Sequence, residues 1–432
     1  MASDWETTDL GQVTDLLTGH PFKSRHYVDD ESAPRLLRGD NIGQGSLRWD
    51  GAKRWPSDGV DGVDCYLLHE GDVILAMDRP WIAAGLKYAS VQRSDLPALL
   101  VQRVARLRGS DRLDTRFLKY VIGSQAFTNH VLAVQTGTAV PHISAGQIKD
   151  FEFLLPPLAE QRAIAHILGT LDDKIELNRR MHETLEAMAR ALFKSWFVDF
   201  DPVRAKADGR DPGLPQPLAD IFPACLADSE LGAIPEGWEV ASVDDEFDLT
   251  MGQSPPGETY NETGDGMPFY QGRADFESRF PKRRVYCTAP TRLAKASDTL
   301  ISVRAPVGDI NMAGEDCAIG RGVAAARHKS GSRSFTYQFM CGLEAVFGRF
   351  EAEGTVFGSI SKKDFHAIPC AAPPLAVVVA FERLLSPLDS RIEAAARESR
   401  LLAALRDALL PKLISGELRV SDAEEFIAEV AS

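Results

Sequence analysis

The sequence contains no run of about 18 apolar residues, so no membrane span is expected. Its start, Met1-Ala2-Ser3-Asp4-Trp5-Glu6, is polar and acidic, and no secretion signal is expected there. Cysteine is scarce. Cys65, Cys225, Cys287, Cys317, Cys341 and Cys370 include no CxxC pair, which argues against a zinc ribbon or a disulfide framework. A reducing, cytoplasmic setting is the simplest expectation. Positive charge is also short: 48 Lys+Arg stand against 62 Asp+Glu, a net of −14. That excludes a uniformly basic nucleic-acid coat but leaves room for a local basic surface. Catalytic signatures are missing too. There is no GxxxxGK[ST] phosphate loop, and His182-Glu183-Thr184-Leu185-Glu186 lacks the second histidine of HExxH. Gly252-Gln253-Ser254-Pro255-Pro256-Gly257 reads as a turn rather than a GxSxG elbow. Neither Asp199-Phe200-Asp201-Pro202 nor Ser254-Pro255-Pro256 forms the Asn/Asp-Pro-Pro-aromatic motif of amino-methyltransferase sites. The nine histidines show no metal-ligand spacing, so no metal site and no catalytic residue is expected.

The chain does have length and a core. Its 432 residues are 44% apolar and 25% charged, enough for two to three globular domains. It also repeats itself once. Trp5-Glu6, Gly19, Tyr27 and Gly39 recur as Trp238-Glu239, Gly252, Tyr260 and Gly272, all at an offset of 233. Gly137-Thr138, Ile143-Ser144, Pro156-Pro157-Leu158 and Leu171-Asp172 recur as Gly354-Thr355, Ile360-Ser361, Pro373-Pro374-Leu375 and Leu388-Asp389, all at 217. The middle of the first half is therefore 16 residues longer. Two long repeats imply a duplicated protein, since a solenoid needs three or more short ones. Each half begins with a mixed segment. Val73–Met77 and Thr299–Val303 read as buried strands, and Arg116–Ile122 and Phe335–Phe347 as helices.

A long helical pattern closes each half. In the first, Ile164, Leu168, Leu171, Ile175, Asn178, His182, Leu185, Ala189, Leu192 and Trp196 follow steps of four and three, a heptad seam. The copy is Phe381, Leu385, Leu388, Ile392, Ala395, Ser399, Leu402, Arg406, Leu409 and Leu413. Ser386-Pro387-Leu388-Asp389 reads as a helix start and Gly416 as a stop. A short lead-in and a main part of about 28 residues, roughly 40 Å, are expected in each. Matching seams imply that the helices pack together through Ile164, Leu168, Leu171, Ile175, Leu185, Leu192, Phe381, Leu385, Leu388, Ile392, Leu402 and Leu409. Asn178, His182, Ser399 and Arg406 are polar seam positions that can fix register. His182, a lone histidine, is expected at the solvent edge.

Two stretches break the acidic balance at equivalent places. Residues 79–120 hold nine Lys+Arg against three Asp+Glu, and residues 267–350 hold thirteen against seven. Trp81, Tyr88, Phe117 and Tyr120 interleave the first, and Tyr270, Phe276, Phe280 and Tyr286 the second. Arginine with aromatics fits a nucleic-acid face, and a solvated charged surface is the plainer alternative. Candidate DNA-facing residues are Lys53, Arg54, Arg79, Lys87, Arg103 and Arg106 in the first half. In the second they are Arg273, Lys282, Arg283, Arg284, Arg304 and Arg321. Arginine suits guanine edges and lysine suits phosphates.

The segments Leu155-Pro156-Pro157-Leu158-Ala159-Glu160-Gln161-Arg162-Ala163-Ile164-Ala165 and Leu171-Asp172-Asp173-Lys174-Ile175-Glu176-Leu177-Asn178 resemble the central conserved region of type I restriction–modification specificity subunits. Gly252-Gln253-Ser254-Pro255-Pro256, Ile301–Gly308, Ile319-Gly320-Arg321-Gly322 and Gly354-Thr355-Val356-Phe357 are similar to that family's target-recognition domains. Val377-Val378-Val379 departs from the Glu160-Gln161-Arg162 pattern of the first half. The resemblance implies a mixed α/β (α+β) chain with two target-recognition domains separated by two long antiparallel helices in a pseudo-twofold repeat. The expected division is 1–157 and 236–372 for the recognition domains and 158–200 and 373–416 for the central and distal helical spacers, with a linker at 201–235 and an acidic tail at 417–432. It implies a non-catalytic subunit that reads an asymmetric bipartite duplex site. Its partners would be double-stranded DNA, two methyltransferase subunits and ATP-dependent restriction/translocation subunits, with no membrane. S-adenosylmethionine, Mg and ATP would belong to those partners and not to this chain. Gln161, Arg162, Lys174 and Asn178 would face a partner subunit. The alternatives are a helical adaptor without DNA recognition and a solitary degenerate relative.

Overall fold

The computed structural model describes residues 5–57, 62–137, 139–353 and 358–423. The matched Thr138 and Gly354-Thr355, the rest of the Gly354–Phe357 motif, and the tail beyond 423 lie outside the described residues. The chain forms two compact units, residues 1–176 with 399–432, and residues 177–398.

In unit 1 a five-stranded sheet runs in the order Thr14–Thr18, Val104–Gly109, Val73–Ala76, Tyr88–Ser90, Gln44–Gly45. The apolar run read as a strand is buried on both faces: Val73, Ile74, Leu75 and Ala76 are fully covered. Helices Thr115–Ile122 and Gln125–Val134 pack against it through Phe117, Leu118, Val121, Phe127 and Val131. Asp114 caps the first, and Ser124 the second, by accepting from backbone N–H groups two and three residues on.

Unit 2 repeats this plan. Phe247–Met251, Val323–His328, Thr299–Val303 and Val307–Met312 form a four-stranded sheet in that order. The stretch expected as one helix is two, Arg333–Gly342 and Glu344–Glu353, and Gly342 and Leu343 mark the break. One of the repeated glycine pairs has a steric reason. A Cβ on Gly19 would lie 2.1 Å from the Val101 carbonyl oxygen, and one on Gly252 would lie 2.2 Å from that of Gly320.

A strand pair closes each half just before its long helix. Glu6–Asp9 pairs antiparallel with Glu152–Leu155, and Glu239–Ser242 with Pro369–Ala372. The proline pairs then end strand pairing, and the helices begin at once. The Pro157 carbonyl accepts from Glu160 and Gln161, and the Pro374 carbonyl from Val377 and Val378. Both helices, Leu158–Phe197 and Leu375–Ile414, are continuous over 40 residues, about 60 Å at 1.5 Å per residue. The expected lead-in and restart at Ser386-Pro387 do not occur. Pro387 sits exposed inside the helix, while Leu385, Asp389 and Ile392 stay buried on the opposite side. Packing of that face outweighs one lost backbone hydrogen bond, and the Ser390 hydroxyl donates to the Ser386 carbonyl at 2.8 Å. The expected stop holds: Gly416 has φ 71°, just past the helix end.

Candidate nucleic-acid interface and helix seam

In unit 1, antiparallel pairing sets Ala76 opposite Val104. Arg79 and Arg103 lie just beyond this pair, at the open end of two neighbouring strands. Both are exposed, and both hold left-handed backbones, φ 44° and 66°. Such conformations cost a non-glycine residue free energy and persist only where the surroundings impose them. Here the Arg79 N–H donates to the Pro141 carbonyl, and the Arg103 carbonyl accepts from Met77. Arg103 pairs with Asp78 at 3.1 Å. Lys53 is exposed, and Arg54 donates to the Ala33 carbonyl at 2.7 Å. The other two candidates point inward. Arg106 is only 5% exposed and pairs with Asp15. Lys87 is 9% exposed; burial lowers its pKa, with Asp40 pulling the other way.

In unit 2 all six candidates are exposed. Arg273 pairs with Asp309 at 3.1 Å, Arg283 with Glu315 at 2.5 Å, and Arg284 with the buried Asp275 at 2.8 Å. Lys282, Arg304 and Arg321 make no side-chain ion pair or hydrogen bond among the described residues. Arg321 donates its backbone N–H to the Ser254 hydroxyl at 3.4 Å, which ties it to the Gly252–Gly257 turn.

The helix seam is largely apolar and holds an ionic centre in each unit. In unit 1, Ile164, Leu168 and Leu171 share a core with Leu409 and Leu413, and Leu402 packs against it. Asp172 there holds Lys119 at 2.5 Å, Arg406 at 2.9 Å and the Tyr120 hydroxyl at 2.9 Å. Burial pushes its carboxyl up, but these partners outweigh that and its pKa falls below the ordinary value. In unit 2, Phe193 and Trp196 meet Phe381, Leu385 lies in the same core, and Leu192 and Leu388 pack against it. Leu185 and Ile392 pack around Phe280 and Tyr337. Asn178 pairs with Glu398 at 2.8 Å while Phe193 lies on Phe381, so the unit-2 segments run antiparallel. Ile175 is half-buried.

The ionic centre of unit 2 is Arg279, which the sequence reading passed over. It is 1% exposed, bridges Glu186 at 2.7 Å and Asp389 at 2.6 Å, and lies 3.5 Å over the Tyr337 ring. A single side chain thus ties a loop to both long helices. A signal existed in the repeat: Asp389 and Tyr337 are the mates, at offset 217, of Asp172 and Tyr120. His182, expected at the solvent edge, is 9% exposed and lies 3.5 Å from Glu186.

Of the residues expected to face a partner, Arg162 is exposed and lies 3.6 Å from Asp114. Lys174 is half-buried, and Asn178 is in the seam. Gln161 is fully buried. Its amide accepts from the Asp114 N–H at 2.8 Å and donates to the Arg112 and Pro156 carbonyls. It locks the helix start to the globular part. Among the described residues no group of three or more His, Cys, Asp or Glu can hold a metal ion, and no helix is long and apolar enough to cross a membrane.

Residues 2–187 match the model of the type I restriction modification DNA specificity domain. A Methanocaldococcus jannaschii protein described as a type I restriction enzyme MjaX specificity subunit is 32% identical over 283 residues, 64% of this chain and 62% of that protein. The MjaIX specificity subunit of the same organism is 24% identical over 375 residues, 82% of this chain and 79% of its own length. Two further specificity subunits are matched over only 44% and 28% of their length, so the chain spans under two thirds of several curated relatives. The crystal structure of a type I restriction-modification system S subunit from M. genitalium superposes with a TM-score of 0.57 at 15% identity, over 95% of this chain and 96% of that one, a likeness of fold. Residues 2–187 are thus similar to a type I restriction modification DNA specificity domain, and the chain is similar over most of its length to type I restriction enzyme specificity subunits.

Proposed function

We propose that this chain is the non-catalytic recognition subunit of a type I restriction–modification complex, reading an asymmetric bipartite site in double-stranded DNA. The observation that carries the reading is a repeated plan with unlike faces: two units share sheet and helix order, yet present different exposed arginines at matched sheet ends. Two readers with different side chains select two different half-sites. The recognition domains correspond to residues 1–157 and 236–372, and the spacers to 158–200 and 373–416, with 201–235 as linker and 417–432 as tail. Lys53, Arg54, Arg79 and Arg103 serve the first domain, and Arg273, Lys282, Arg283, Arg284, Arg304 and Arg321 the second. Lys87 and Arg106 are buried, Arg106 against Asp15, and so do not face DNA.

The long helices act as the ruler between the readers and dock two methyltransferase subunits that methylate adenine. Arg162 and Lys174 are the residues best placed to meet them, with Gln161 and Asn178 supporting the helix surface from inside. S-adenosylmethionine, Mg and ATP are the business of those partners and of an ATP-driven restriction subunit, in the cytoplasm. The test is binding of the full chain to duplex DNA across salt, with adenine-methylation mapping in cells carrying or lacking it. Binding that weakens steeply with salt, and methylation at one split motif that vanishes with the chain, is expected. Salt-independent behaviour and an unchanged methylation map would instead favour a helical adaptor.

A further inference from the structure

The two sheet ends can be overlaid bond for bond. In unit 1, Met77 donates to the Arg103 carbonyl, Ile143 to the Met77 carbonyl, and Arg79 to the Pro141 carbonyl. In unit 2, Val303 donates to the Gly322 carbonyl, Ile360 to the Val303 carbonyl, and Ala305 to the Gly358 carbonyl. Asp78 bridges to His142 as Arg304 bridges to Ser359. This pattern makes Asp78 the counterpart of Arg304, and Gln102 the counterpart of Arg321. Charge at the matched position is therefore reversed.

The consequences differ between the ends. In unit 1 the Asp78 carboxylate neutralises Arg103 at 3.1 Å. In unit 2, with Ser302 set opposite Val323 on neighbouring strands, Arg304 and Arg321 each lie two residues beyond that pair. Both are exposed, and neither has a side-chain partner among the described residues. Glycines hold this end shut against its neighbour: a Cβ on Gly322 would lie 2.2 Å from the Gln271 carbonyl oxygen. Two uncommitted guanidinium groups on a fixed backbone match the O6 and N7 acceptors that guanine shows in the major groove. An exposed salt bridge on DNA phosphates alone requires no such arrangement.

We propose that Arg304 and Arg321 form the guanine-reading element of unit 2, and that Asp78, at the equivalent position, gives the half-site of unit 1 a different base preference. This rests on the DNA-recognition reading above. The test selects duplexes from a randomised pool with the full chain and its variants, then sequences the bound fraction. Arg304→Ala and Arg321→Ala should each lose roughly 5- to 150-fold discrimination for guanine in one half-site and leave the other intact. Arg304→Lys should lose the same discrimination but keep the salt dependence, since the charge remains while the planar fork is gone. Asp78→Ala should alter only the other half-site. Unchanged base preference in the arginine variants, or an equal loss of binding to every sequence, overturns the proposal while the wild-type motif still supports DNA recognition. A wild-type chain that selects no sequence overturns both.

Discussion

Arg279 brings a charge into a place where 1% of its surface meets solvent, and two carboxylates and a tyrosine ring make that tolerable. Removing the cation leaves Glu186 and Asp389 facing each other unpaired. Arg279→Ala is expected to cost about 3–5 kcal/mol, measured by urea unfolding, because an uncompensated buried charge is dearer than the pair is worth. An exposed pair behaves otherwise: Arg273→Ala, which breaks only its bridge to Asp309, should change stability by about 1 kcal/mol or less. The two seam aspartates respond to pH with opposite sign. Asp172 has a lowered pKa, so its stabilisation is full above the unfolded value and is lost as pH falls below about 4. Burial raises the pKa of Asp389 despite Arg279 and Ser334, so its contribution is full in acid and is lost as pH rises through the folded value. The stability gap between wild type and Asp172→Asn should therefore shrink as pH is lowered from 5 towards 2. A gap of constant size across that range would remove Asp172 as the acid-sensitive group.

At the scale of elements, the helix seam was legible because steps of four and three are a local property of the chain. Ile164, Leu168, Phe381, Leu385, Ile392 and Leu409 are all buried. The helix limits were less legible. Ser386-Pro387 has the chemistry of a helix start, but a tertiary face that continues through Asp389 overrides that local signal. The position makes a clear prediction. Pro387 is exposed, so its ring contributes little packing, and Pro387→Ala should restore the helical N–H and stabilise the chain by roughly 1–3 kcal/mol in thermal unfolding. Gln161 is expected to face a partner because it lies in the segment that resembles the family's central conserved region. Only the fold reveals the Asp114 N–H and the Arg112 carbonyl, nearly fifty residues earlier, that its amide serves. Arg279 escaped for the same reason: its partners lie 93 and 110 residues away. Lys87 and Arg106 belong to a basic stretch interleaved with aromatics, and neither charge nor aromatics say which way a side chain points.

For the whole molecule, duplication was the most legible feature, since glycines forced by close backbone contact and proline pairs that start helices keep their offsets. The unlike sheet ends were not legible, because matched positions such as Asp78 and Arg304 align only through hydrogen-bond pattern. Both long helices cross the boundary between units, one at Glu176 and Leu177, the other at Glu398 and Ser399. Under the proposed ruler, residues added at those places lengthen the connection without touching either reader. Seven residues preserve the heptad seam and add about 10 Å, close to three base pairs of duplex. A heptad after Ile175, matched by one after Glu398, should therefore lengthen the gap between half-sites by about three base pairs and leave both half-site sequences unaltered. Methylation mapping reads both quantities at once. Insertion in one helix alone should put the paired seams out of register and lower stability, which separates a failed fold from a failed ruler. A doubly extended, folded chain that still methylates at the original spacing would mean that the gap is set elsewhere than in these helices.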